Sequence, residues 1–234
     1  MNERLKVYFL NQNIDLSDTQ IDQFLIYYKM MVEKNKVMNL TTVTEFDEVL
    51  EKHFADSISL NRVVNLSQKL SVMDMGTGAG FPGIPLKITY PSLNITLADS
   101  LNKRIKFLDE VIESLKLNDM ETIHGRAEDI AHNIRYREKY DICVSRAVAN
   151  LAVLTEYCLP FVRTGGKFVA YKSDQVEDEL SLAEKAIQIL GGRVSRIEKF
   201  YIGENARSLV VIDKIRQTPK KYPRKAGIPS KEPL

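Results

Sequence analysis

The chain has 234 residues, of which 44% are hydrophobic and 27% charged, a composition that excludes disordered, collagenous and disulfide-scaffold proteins. A chain of this length buries on the order of 70% of its unfolded surface, so it needs no metal or disulfide staple. The formal net charge of +2 conceals a split: from Lys214 to the end there are seven basic residues against one acid, and the rest of the chain is acidic.

Cys143 and Cys158 are the only cysteines and belong to no Cys-x-x-Cys pair or Cys/His cluster, which predicts a reduced, cytoplasmic protein without a metal. Val7 to Leu10 are too few apolar residues for a signal segment, and no stretch approaches the roughly 20 apolar residues of a membrane span.

Residues 1–65 read as a helical N-terminal arm. Ser17 and Gln20 have capping-box spacing, and Ile21, Phe24, Leu25, Tyr28 and Met31 follow at the offsets of one helical stripe. Asn35 to Thr42 reads as a polar connector, and a second helix start is expected at Thr44 with Asp47 three residues on. His53, Asp56 and Ser57 then share a helical face, either as an ordinary hydrogen-bonded surface or as part of a cleft lining.

Residues 66–215 alternate short β-like runs with helical stretches, the pattern of a parallel sheet with crossover helices. Strands are expected near 71–75, 94–98, 120–123, 140–145, 166–171, 194–201 and 207–213, and helices near 83–89, 102–116, 126–133, 149–160 and 174–190. Gly203-Glu204-Asn205 is too short for a crossover helix, so the last two strands must form an antiparallel hairpin. Residues 216–234 form a basic, Pro-rich tail holding four of the eight prolines, expected to drape over the domain or stay mobile.

The sharpest local signal is Asp74-Met75-Gly76-Thr77-Gly78-Ala79-Gly80-Phe81-Pro82-Gly83, a strand running into alternate glycines and then a helix. Such glycines supply positive backbone angles and let a ligand approach the main chain. The next strand ends in Asp99, 19 residues after Gly80, the spacing at which an acid meets the ribose of an adenosine ligand. Gly78 to Gly83 also satisfies the dinucleotide pattern, but three features lean toward S-adenosylmethionine. Asp74 precedes the first glycine by two residues, where a carboxylate would meet the amino-acid end of that ligand. The terminal hairpin suits a methyltransferase sheet, and no Tyr has a Lys four residues later, as short-chain reductases require. After the third strand, Ala127 and Glu128 stand where adenine would bind, although a plain helix N-terminus accounts for the same residues.

The fourth strand ends in Ser145-Arg146, where the transferable methyl should lie. The Asn/Asp-Pro-Pro-aromatic motif of amine methyltransferases is absent, and Cys143 sits inside the strand rather than at a nucleophile position. A target with its own lone pair, such as guanine N7, needs alignment more than a base. Arg146 then reads as a positioning residue able to pair a guanine edge, a phosphate or a cofactor carboxylate, or as a sheet-edge salt bridge.

From about Asn35 to the C-terminus the sequence resembles the small-subunit ribosomal RNA guanine-N7 methyltransferases of the RsmG or GidB family. The resemblance rests on Asn39-Leu40-Thr41, His53 with Asp56-Ser57, Asp74 through Pro85, Asp99-Ser100 with Lys103-Arg104, Arg126-Ala127-Glu128, Ser145-Arg146-Ala147-Val148-Ala149, and Tyr222-Pro223-Arg224-Lys225 with Gly227 and Pro229. It implies an α/β, Rossmann-like class I fold, a seven-stranded sheet ending in an antiparallel hairpin, and methyl transfer to a guanine in the 530 loop of bacterial 16S rRNA. It also implies cofactor contacts at Gly76, Phe81, Ala127, Glu128 and Arg146, with Ser100 beside Asp99. Tyr171-Lys172-Ser173 departs from the family's Met-Lys-Gly while retaining the lysine.

Lys172, Lys220, Lys221, Arg224 and Lys225 are therefore expected to contact RNA phosphates. Removing the tail is expected to weaken RNA binding and leave cofactor binding nearly intact. A monomer acting on 16S rRNA, free or within the small ribosomal subunit, is expected, without membrane or metal. Rival readings are a small-molecule methyltransferase and a noncatalytic nucleotide- or RNA-binding module.

Overall fold

The computed structural model describes every residue except Ala147, Val148 and Gln175. Part of the expected Ser-Arg-Ala-Val-Ala element and one position of the 174–190 stretch thus lie outside the described residues.

The arm begins with α1 (Asn2–Leu10) and α2 (Asp18–Met38). Ser17 caps α2 through the expected capping box, its hydroxyl accepting from Gln20 N while Gln20 Oε1 accepts from Ser17 N. The polar connector starts later than expected: Lys36, Val37 and Met38 continue α2, which stops at Asn39 in the left-handed region at φ 49°. Asn35 then accepts from Thr41 N through its side chain, so this asparagine organises the exit from within the helix. The next helix, α3 (Phe46–Val49), is preceded by Glu45 rather than capped by Thr44, whose carbonyl is taken by the Tyr28 hydroxyl. A π-helical turn, Leu50–Ala55, follows and leads into α4 (Asp56–Ile58).

The remaining elements follow the expected alternation. They are β1 (Ser71–Met75), α5 (Gly83–Thr89), β2 (Asn94–Asp99), α6 (Asn102–Leu115), β3 (Met120–His124), α7 (Ala127–Ile130), β4 (Tyr140–Arg146) and α8 (Leu151–Cys158). Then come β5 (Val162–Lys172), α9 (Glu177–Ile189), β6 (Gly192–Ile202) and β7 (Asn205–Lys214), and a short helix that the pattern did not announce, α10 (Ile228–Lys231), lies in the tail. The sheet order is β3-β2-β1-β4-β5-β7-β6, with β7 inserted antiparallel between β5 and β6. The order reverses between β1 and β4, which opens a crevice at the carboxyl ends of those strands, the usual ligand position in open α/β sheets.

Two apolar layers cover the sheet. One joins Leu5, Phe9, Phe24, Tyr27 and Phe54 of the arm to Phe81, Ile84, Leu97 and Leu108, so the arm shares the sheet's core. The other packs Leu151, Leu154, Cys158, Phe161, Ala183 and Ile187 against Met73, Cys143 and Phe168.

The tail is not a mobile appendage. Tyr222 and Thr218 are buried, and Arg137 donates to the carbonyls of Thr218 and Tyr222 at 2.9 Å each. His132 contacts the Pro223 carbonyl at 2.9 Å, and Arg224 forks onto Glu156. Lys214, counted among the tail's basic residues, is itself buried, donating to Leu159 O and Thr218 Oγ1. Composition gave no sign of these partners because most lie far away in the chain.

Candidate active site

The loop after β1 is tied down from three sides. Gly76 N and Thr77 N donate to Ala98 O on the neighbouring strand, and Gly78 N donates to Asp99 Oδ2 at 3.0 Å. The two later glycines do different work. Gly78 has φ +64°, and a Cβ there would meet nothing within 4 Å, so this glycine faces open space and serves the turn. Gly80 has φ +109°, and its Cβ would lie 2.7 Å from Ile84 Cγ1 and 2.9 Å from the Tyr27 hydroxyl. Gly80 is thus required by packing of the loop on α5 and on the arm, not by ligand approach.

Asp74 departs from the expectation of a cofactor contact. Side chains alternate across a strand, and Asp74 points beneath the loop, fully buried and outside the cavity lining. Its Oδ2 accepts from Thr77 Oγ1 at 2.7 Å and from Gly83 N at 2.8 Å, while Oδ1 has no partner. Burial pushes this carboxyl up to about 7, against the pull of those two hydrogen bonds.

Beyond the loop lies a cavity of about 640 Å³, within the range of small-molecule sites. Gly76, Gly78, Phe81, Asp99, Ser100, Ala127, Glu128 and Arg146 line it together with Met75. Asp99 is nearly buried; Oδ2 accepts from Gly78 N and Arg104 Nη1, and Oδ1 accepts from Leu101 N. One acceptor position of Oδ1 remains for a ligand hydroxyl. Glu128 is also committed in part, since Oε1 accepts from Gly227 N at 2.9 Å.

At the other end, Arg146 is held from the arm. Nη1 donates to Lys52 O at 3.0 Å and to Asp56 Oδ2 at 2.8 Å, and the guanidinium carbon stands 5.0 Å from the centroid of the Phe81 ring. Asp56 meets a second cation through Oδ1, 3.3 Å from Arg207 Nε. His53 Nδ1 lies 3.3 Å from Arg146 Nη2, and Nε2 lies 2.8 Å from Thr41 Oγ1. Nδ1 also lies 3.0 Å from Lys52 O, so both ring nitrogens are engaged by the protein. Burial and the Arg146 charge lower His53 to about 4, so the ring is neutral. The two alternatives for Arg146 are therefore combined: it is ion-paired and it lines the cavity.

None of Lys172, Lys220, Lys221, Arg224 and Lys225 lines the cavity. Lys172 is largely buried, donating to Ala149 O at 2.8 Å and to Glu179 at 2.6 Å. Arg224 is bound to Glu156, whose side chain is 1% exposed. Lys220, Lys221 and Lys225 are exposed. Leu40, Thr41, Tyr157 and Ser230 also line the cavity. Leu40 and Thr41 fall within motifs of the resemblance, whereas Tyr157 and Ser230 carry no local pattern that marks them. Tyr27, whose hydroxyl donates to Ala79 O at 2.7 Å, reads in sequence only as a helix residue.

A parallel sheet with an antiparallel β7, a glycine loop after β1 and an acid ending β2 define a class I S-adenosylmethionine-dependent methyltransferase. The fold is similar to the crystal structure of TrmN from Thermus thermophilus, with a TM-score of 0.54 at 16% identity over 71% of this chain and 53% of that one. It is also similar to a SAM-dependent methyltransferase from Aquifex aeolicus, with a TM-score of 0.53 at 16% identity over 70% and 92% of the two chains. The chain belongs to the GidB family, rRNA small subunit methyltransferase G, which matches residues 20–210. Ribosomal RNA small subunit methyltransferase G of Lachnoclostridium phytofermentans is 51% identical over 94% of this chain and 92% of its own length. The protein of the same name from Staphylococcus aureus is 50% identical over 95% and 93%. The chain is accordingly an rRNA methyltransferase that uses S-adenosylmethionine.

The residues present fit that cofactor. The space in front of Gly78 is open, Asp99 keeps an acceptor position, and Arg104, Arg126 and Arg146 offer cations around the same cavity as the carboxylates of Asp99 and Glu128. No helix among the described residues is long and apolar enough to cross a membrane.

Proposed function

We propose that the enzyme methylates N7 of a guanine in the 530 loop of 16S rRNA, with Arg146 as the positioning residue. The observation that supports this reading is the lack of a free proton acceptor among the described cavity-lining residues around Arg146, the unpartnered Oδ1 of Asp74 being buried outside that lining. Both oxygens of Asp56 face arginines, and His53 is held near 4 with both ring nitrogens engaged by Lys52, Arg146 and Thr41. Guanine N7 has a lone pair and no proton to lose, so such a site suffices for it.

When bound, the cofactor supplies a methyl group on a positively charged sulfur. Methyl transfer to the N7 lone pair would move no proton, so the residues of this chain need only bind and align the two partners. Gly76, Gly78 and Phe81 would hold the amino-acid and sulfur side, Asp99 with Ser100 the ribose, and Ala127 with Glu128 the adenine. Asp74 and Gly80 are proposed to shape the loop rather than to touch the ligand. Asp56 offsets the Arg146 charge, so the product guanine, which gains a positive charge, does not face an unbalanced cation.

In this reading residues 1–65 back the loop and fix Arg146, residues 66–215 carry the cofactor, and residues 216–234 meet the RNA. Exposed Lys220, Lys221 and Lys225 contact phosphates, while Lys172 and Arg224 act from within their ion pairs. The enzyme is taken to work as a cytoplasmic monomer, without metal, on 16S rRNA free or in the small subunit. The duplex major groove of RNA hides N7, so a looped guanine is the target.

Small-subunit rRNA incubated with enzyme and methyl-labelled cofactor, then treated with borohydride and aniline, tests the assignment. Cleavage at one labelled guanine is expected. Labelled RNA that resists cleavage overturns the N7 assignment, label that survives RNase in a small product favours the small-molecule reading, and binding without label favours the noncatalytic one.

A further inference from the structure

The basic tail at the chain's end has a structural role that its composition does not announce. The stretch from Thr218 to Ser230 runs as a strap across the face formed by α8 and the loop after α7. Its first half is clamped: Thr218 Oγ1 donates to Leu190 O, Arg137 donates to the carbonyls of Thr218, Pro219 and Tyr222, and Arg224 donates to both oxygens of the buried Glu156. Its second half arrives at the cofactor cavity. Gly227 and Ser230 line that cavity beside Ala127, Glu128 and Tyr157.

We propose that residues Gly227 to Ser230 form a wall of the cofactor site at its adenine end, latched by the hydrogen bond from Gly227 N–H to Glu128 Oε1. This rests on placing the adenine at Ala127 and Glu128, as argued above. The latch is a charge-assisted bond at a nearly buried carboxylate, since Glu128 is 6% exposed, and such bonds are among the stronger neutralising contacts. Gly227 reaches it with φ +84°, a backbone angle that glycine adopts without steric cost. The wall closes a side of the cavity that the sheet and its loops leave open, so a ligand with an adenine base loses water on that side only when the strap is in place. The lysines of the strap, Lys220, Lys221 and Lys225, are exposed and line no part of the cavity.

The test removes the wall and keeps the clamp. A chain ending at Ala226 retains Thr218 to Arg224 with all their anchors. By calorimetric titration its affinity for S-adenosylhomocysteine is expected to fall about tenfold or more, the scale of one charge-assisted hydrogen bond with its neighbouring contacts. Methylthioadenosine, which lacks the amino-acid end, should lose the same factor. Its affinity should not survive while that of S-adenosylhomocysteine falls, because that pattern would move the strap to the other end of the ligand and overturn the proposal. A cooperatively melting truncated chain with unchanged affinity for both overturns it as well. Should the truncated chain not fold, amide exchange in the intact enzyme decides: peptides covering 225–234 should gain protection when S-adenosylhomocysteine is added, and unchanged exchange rejects the wall. No methylation is scored, so an error in the N7 assignment leaves these outcomes readable.

Discussion

Arg146 illustrates how a side chain becomes a tool through its neighbours. Two of its contacts, Lys52 O and Asp56 Oδ2, come from the π-helical turn and the residue just after it, and a third from His53. A planar fork is required to reach them together, which an ammonium cannot do. Arg146→Lys is expected to lower kcat about 100-fold, the cost of an ångström-scale misplacement, with KM for the cofactor changed less than threefold. Steady-state kinetics on small-subunit rRNA would check this, and a variant that lost cofactor affinity instead would move Arg146 to the binding role.

The Asp74 carboxyl couples folding to pH. Its carboxyl rises from an ordinary value near 4 to about 7 in the folded chain, so the folded state holds this proton more tightly than the unfolded one. The contribution to stability is present below about pH 4 and is lost as pH rises to 7, on the order of 4 kcal/mol at most. His53 shifts the opposite way, so the comparison must be with a variant rather than across pH alone. Asp74→Asn keeps an acceptor for Thr77 and Gly83 and removes the titration. Its stability relative to the parent, measured by urea unfolding without cofactor, should rise between pH 5 and pH 8. A difference that stays constant would refute the buried, protonated carboxyl.

Among the elements, α2 is the one whose role exceeds its pattern. It buries Phe24 and Met31 of the expected stripe but Tyr27 in place of Tyr28, which is only half-buried, and Tyr27 stacks on Phe54 with ring centroids 5.8 Å apart while its hydroxyl supports Ala79 in the glycine loop. Tyr27→Phe leaves Ala79 O without that donor, a cost of about 1–3 kcal/mol for an unsatisfied buried group. Unfolding curves should show that loss, and cofactor affinity should fall severalfold because the loop loses support. Stability lost with affinity unchanged would mean the loop does not depend on the arm. Gly80 belongs to the same contact, as any side chain there collides with Tyr27 and Ile84.

Over the whole molecule, charge divides less cleanly than along the chain. Of the seven basic residues from Lys214 onward, Lys214 is buried and Arg224 is paired with Glu156. The exposed lysines 220, 221 and 225 remain available to phosphates. Replacing these three by Gln should weaken rRNA binding and lower the slope of log affinity against log salt by up to about 0.7 per lost contact, with cofactor affinity unchanged. A salt slope identical to the parent's would show that the RNA is held elsewhere. Complete removal of the tail is a different experiment, because it also strips Thr218 and Tyr222 from their hydrogen-bond partners.

Much of this architecture was legible because its signals are local. Alternating strand and helix patterns, the short Gly203-Glu204 turn that forces an antiparallel β7, the Ser17 cap and the glycines before Pro82 each depend on residues within a few positions of one another. Periodicity and turn chemistry act over such distances, so the strands, the hairpin, the loop and the acid Asp99 at the end of β2 can be read from short stretches of chain. The direction of Asp74, the cations spent in ion pairs and the approach of Gly227 and Ser230 to the cavity follow from packing of distant segments. Those outcomes rest on contacts such as Gly227 with Glu128 and Arg146 with Asp56, separated by 99 and 90 positions. Burial and pairing over such separations are set by how the layers stack, which no local pattern encodes.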